Sequence, residues 1–183
     1  MNRTLLCAAA LYALPLSACL ATHSTEALEV DASIASVTLG EDCGMGAGLI
    51  GGAERCDSSG ECPPLCQQSS VQLRLVAGAE GTEVPFEIVS IRVIDPESGE
   101  ATSITARNPR VFVDGYVTWD ETIAPAESLS VSYDTTAPSW GSLGSSADSF
   151  GWGHVYTVEM VVRIDGVERT LRADAMREPE IAT

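Results

Sequence analysis

The chain has 183 residues, with 26 acidic side chains against ten basic ones, and its formal net charge is −16 at pH 7. That length suits one domain with flanking segments. Every basic residue is an arginine, and so acidic a surface repels nucleic acid and anionic headgroups, so neither DNA or RNA binding nor membrane attachment through a basic patch is expected.

The first element is an address. Met1-Asn2-Arg3 supplies a short positive end, and residues 5–16 are almost wholly apolar. The run is too short to cross a bilayer as a helix and has the form of a secretory signal. It closes on Leu16-Ser17-Ala18-Cys19, which resembles the lipobox of bacterial lipoproteins. The resemblance implies that residues 1–18 are removed after Ala18 and that Cys19 carries a diacylglyceryl thioether, with its new amine acylated as well. Several acyl chains hold a protein firmly on a bilayer where one binds only marginally. By the same resemblance, Leu20, where an Asp would favour the inner membrane, points to the outer membrane of the cell envelope. The competing reading is a plain secretory signal in which Cys19 is incidental. Cleavage leaves all 26 acidic residues against nine arginines, about −17 in side-chain charge. That charge serves solubility or attracts divalent cations.

Residues 19–40 read as the lipidated cysteine and a polar tether, with a first short strand over 34–39. Residues 41–69 form a segment of another kind, holding Cys43, Cys56, Cys62 and Cys66 among many glycines. An even count in an oxidising compartment reads as two disulfides, in any of three pairings. Zinc is the alternative, but the spacing lacks the paired CxxC knuckles of structural zinc sites. Glycines such as Gly44, Gly46 and Gly48 offer no side chain to a core, which is where covalent staples are needed.

From residue 70 to 175 the pattern becomes that of strands. Val71, Leu73 and Leu75 alternate with Gln72 and Arg74, and Val89, Ile91 and Val93 line the next strand. The polar stretch 95–100 is a hairpin loop leading into a strand over 101–106. Pro109 breaks the chain before 111–113, and 116–119 continue after Asp114-Gly115. Leu129, Val131 and Tyr133 alternate with serines. Tyr156, Val158, Met160, Val162 and Ile164 share one face of a long strand, and Asp165-Gly166 has the composition of a type I′ turn into a return strand over 167–173. About seven strands with turns between them resemble an immunoglobulin-like or fibronectin-type β-sandwich, an all-β antiparallel fold that by itself implies no activity. Residues 176–183 read as a tail.

Chemistry is sparse. His154 and His23 are the two histidines, no GxSxG elbow is present, and without lysine there is no Ser–Lys or Schiff-base mechanism. Enzyme activity is not expected. Calcium is the better candidate, with Asp57 and Glu61 in one turn and Asp95, Glu97 and Glu100 in another, though neither has EF-hand spacing and a solvated turn is the simpler account. The stretch 135–153 is long for a strand connection and sets Trp140, Phe150 and Trp152 among glycines and serines, a composition suited to a binding loop or to a cap folded back on the sandwich. The functional expectation is a noncatalytic envelope lipoprotein that meets another envelope protein or a glycan through this loop. A calcium-dependent structural or adhesive module is the alternative.

Overall fold

A computed structural model describes residues 27–42, 67–143 and 152–177. In chain order the strands are β1 (Val30–Thr38), β2 (Ser70–Ala77), β3 (Val84–Ile94), β4 (Ala101–Ile104) and β5 (Ala106–Phe112). They continue with β6 (Tyr116–Thr118), β7 (Thr122–Ile123), β8 (Ser128–Thr135), β9 (Val155–Ile164) and β10 (Val167–Met176). One antiparallel sheet runs β1-β2-β8-β5-β6, and the other runs β10-β9-β3-β4 with β7 also on β3. Labelled by the immunoglobulin convention, these orders are A-B-E-D facing C-F-G, with β4 as an extra strand beside C. The protein is an immunoglobulin-like β-sandwich.

Period-2 alternation builds the core. On β9, Tyr156, Val158, Met160, Val162 and Ile164 are all buried, and on β2 so are Val71, Leu73 and Leu75. Each such side chain stabilises the fold by about 1.5–3 kcal/mol on burial. The two sheets meet without a cysteine between them among these core residues; Leu73, Val131 and Val158 are at zero exposure instead. Asp165 and Gly166 both take positive φ, 49° and 76°, so the β9–β10 turn has the backbone its Asp-Gly pair favours.

Several boundaries differ from the sequence expectation, among them that of β10, which runs to Met176 where the return strand was expected to end at 173. β1 begins at Val30, inside the stretch read as tether, because Leu28 and Val30 are buried against the sandwich. The register of β3 against β9 slips between Ile88 and Ser90. Val84 and Phe86 therefore face the core before the bulge and Ile91 and Val93 after it, while Val89 is exposed. Pro109 does not end a strand. It lies in an irregularity of β5, where Asn108 has φ 54° and the register against β8 shifts between Arg107 and Arg110. The strand expected over 101–106 is divided at Thr105, where the chain leaves the second sheet and joins the first.

The cysteines at 43, 56, 62 and 66 lie outside the described residues, as do Cys19, Asp57, Glu61 and Phe150. The positions flanking the cysteine segment are held side by side: the Glu41 N–H donates to the Gln67 carbonyl at 2.8 Å, and the Ser69 N–H donates to the Glu41 carbonyl at 3.0 Å. Gly40 makes that approach possible, since a Cβ there would stand 2.0 Å from the Gln67 oxygen.

Candidate functional site

Two of the three aromatic residues singled out in the 135–153 stretch meet at one end of the sandwich. After β8 the chain makes a short 3-10 turn, Trp140–Ser142, whose following residue, Leu143, is fully buried in the end of the core. Trp152 re-enters just before β9. Between the two indoles lies Arg177, the residue after β10, with its Cζ 3.8 Å from each ring centroid. Its guanidinium donates to Glu41 Oε1 at 2.7 Å, and the whole residue is 2% exposed. Burial lowers the guanidinium's pKa, opposed by the Glu41 carboxylate. Backbone bonds lock the same corner, from the Gly153 N–H to the Arg177 carbonyl and from the Arg177 N–H to the His154 carbonyl. One face of each indole is thus occupied by this chain's own arginine, which ties the end of β10 to the loop before β9 and to residue 41.

His154 and Asp95 lie alongside. The imidazole Nε2 is 3.1 Å from Asp95 Oδ1, and its ring meets Tyr156 edge-on at 4.7 Å. Asp95 is buried at the start of the β3–β4 hairpin loop, where its carboxylate accepts from the Glu97 N–H and the Ser98 hydroxyl, both at 2.9 Å. The carboxyl pKa is lowered, chiefly by the Glu97 N–H, then by hydrogen bonds from His154 and Ser98, against burial that raises it. The Ser98 hydroxyl donates to the carboxylate, so no nucleophile–base contact of a hydrolytic triad is drawn by these bonds. Glu97 and Glu100 are exposed in the same loop, and no three His, Cys, Asp or Glu side chains converge among the described residues. Asp95 shapes a turn.

The surface that sequence reading missed is the β5–β6 hairpin. Phe112, Val113, Tyr116 and Val117 are 53%, 65%, 50% and 51% exposed, four large apolar side chains within six residues. Phe112 and Tyr116 are directly paired across the hairpin, their rings edge-to-face at 5.4 Å, and Arg110 lies 5.5 Å from the Tyr116 centroid. The Arg110 guanidinium also binds Asp134 Oδ1 at 2.6 Å, which fixes the base of the group to β8. β6 forms the edge of its sheet. The signal was present in the sequence as Val111-Phe112-Val113 and Tyr116-Val117 around Asp114-Gly115, consecutive apolar residues without polar alternation. In a strand such a run places apolar groups on both faces, and Tyr116 and Val117, on opposite faces of β6, are both exposed.

No protein-family model matches the chain, and no curated protein matches it.

Proposed function

We propose that the protein is a noncatalytic module of the bacterial cell envelope, held on the membrane through acylated Cys19, that binds another envelope protein with the aromatic hairpin at residues 112–117. The observation that carries this reading is the clustering of Phe112, Val113, Tyr116 and Val117 at a sheet edge in a chain with 26 acidic side chains against ten basic ones. Exposed contiguous apolar surface costs solubility and favours aggregation, so a secreted domain that keeps it has a use for it. Aromatic residues ringed by polar ones are also the usual anchors of protein interfaces. The hairpin is preferred over the 135–153 stretch because Trp140 and Trp152 each give a ring face to Arg177. Support for the anchor comes from Leu16-Ser17-Ala18-Cys19.

Two measurements in the native host test the two halves separately. Growth with an alkyne-bearing fatty acid labels the wild type and not Cys19→Ala, which leaves the membrane fraction; label on both, or on neither, removes the anchor. Co-purification of a partner from the envelope is lost in Phe112→Ser and Tyr116→Ser while both variants melt as the wild type does. Retention of the partner by both variants removes the hairpin.

A further inference from the structure

The sandwich has an open side. β4 pairs with β3 only over residues 91–94 and β7 only at Val84 and Pro85. Among the described residues, Glu87, Ile88 and Ser90 of β3 therefore pair on one side alone, with β9, and the bulged Val89 between them pairs on neither. Opposite them, Ala106 and Arg107 of β5 pair on one side alone, with β8. Between these two strand edges lies a cavity of about 360 Å³. Ile91, Ile104 and Tyr133, none more than 7% exposed, form its base, while Val89 stands exposed at its rim. The Tyr133 hydroxyl donates to Glu121 Oε1 at 2.9 Å, and burial together with that carboxylate keeps the phenol protonated far above its ordinary range. The gap thus combines unpaired main chain at both walls with an apolar floor.

Unpaired edges of this kind take up an extended chain, main chain giving affinity and alternate side chains giving selectivity. Four residues of open β3 edge span roughly 13 Å, enough for about four residues of an added strand. Charge decides what kind. Glu87 and Glu121 line the gap, whereas Arg107, its one cation among the described residues, is already paired with Asp42. Glu87 shares its Arg163 partner with Glu168, so two carboxylates divide one guanidinium. We propose that this gap accepts an extended basic segment of the partner protein, apolar side chains alternating downward onto Ile91 and Tyr133 and Lys or Arg side chains directed to Glu87 and Glu121. The proposal rests on the binding reading above and deepens it. β5 forms one wall of the gap and also the first arm of the aromatic hairpin, so a single partner reaches both.

The test uses the isotope-labelled mature chain and two end-blocked hexapeptides, one alternating Val with Lys and the other alternating Val with Glu. The lysine peptide shifts the amide resonances of residues 87–90 and of Ala106 and Arg107 and slows the exchange of those whose N–H groups face the gap, and the glutamate peptide does neither. Glu87→Gln weakens the lysine peptide about threefold, as expected for one exposed ion pair, and added salt weakens it further. Equal binding of both peptides, or binding that leaves those amides unchanged, overturns the proposal. If those amides stay unchanged while Phe112→Ser still loses the partner, the added strand fails and the hairpin reading stands. If the lysine peptide protects them but Phe112→Ser keeps the partner, the reverse holds.

Discussion

Arg177 ties three separate segments of the chain together at its end of the sandwich. It reaches Trp140 from before the long loop, Trp152 from after it and Glu41 from beside the cysteine segment. Replacing it with methionine keeps much of the packing stem but removes two cation–π contacts and one partner of an ion pair. Arg177→Met is expected to lower unfolding free energy by about 2–3 kcal/mol in a denaturant titration. Arg177→Lys recovers only part of this, because an ammonium cannot stack flat between two indoles. A loss under about 0.5 kcal/mol, the size of an ordinary surface change, would show that the clamp does not hold this end together. Asp95 gives a pH-dependent counterpart. Its folded pKa lies below the unfolded one, so its hydrogen bonds stabilise the fold fully above about pH 4 and that contribution fades as acid protonates it. Asp95→Asn should melt lower than wild type at pH 7, with the gap narrowing below about pH 4. A gap constant across that range would contradict the assigned shift.

At the scale of strands, the bulge in β3 makes a contrast between near neighbours. Val89 and Ile91 are two residues apart and would share a face in a regular strand, yet the first is exposed and the second is 1% exposed. Val89→Thr is expected to change stability by less than about 0.5 kcal/mol and Ile91→Ala to cost about 3 kcal/mol, read from urea midpoints. Similar losses at both positions would place them on one face and remove the bulge. The same comparison shows why strands were legible and their irregularities were not. Alternation in β2, β8 and β9 marks the buried face directly, and Asp165-Gly166 marks its own turn. A bulge changes the phase without requiring any particular residue, so the run from Phe86 to Val93 reads equally well in one phase. Pro109 misled for the opposite reason: it carries a strong local signal, but the register shift of β5 against β8 accommodates it. The Arg177 clamp left no local trace, since its partners are residues 41, 140 and 152, which follow strands of one sheet or precede β9 of the other and meet only in the folded sandwich. The aromatic hairpin was written plainly as an apolar run, but burial depends on which strand sits at an edge, and sheet order cannot be counted from spacing.

For the whole molecule, the sandwich places its features on distinct sides. The Arg177 corner closes the end from which the cysteine segment departs, the β5–β6 hairpin projects along one edge, and the gap between β3 and β5 opens beside it. The first ties separate segments of the fold together, and the proposed recognition belongs to the other two. Truncating Phe112 or Tyr116 should therefore leave melting unchanged while weakening partner binding tenfold or more, as for central aromatic anchors of protein interfaces. The most direct measurement is site-specific photo-crosslinking in living cells, with a photoreactive residue in place of Val113 and, as a control, in place of Glu100 in the β3–β4 loop. A binding hairpin gives one discrete protein adduct from position 113, none from position 100, and loss of the adduct when Tyr116→Ser is added. No adduct from position 113, or the same adduct from both positions, would contradict a binding surface at the hairpin.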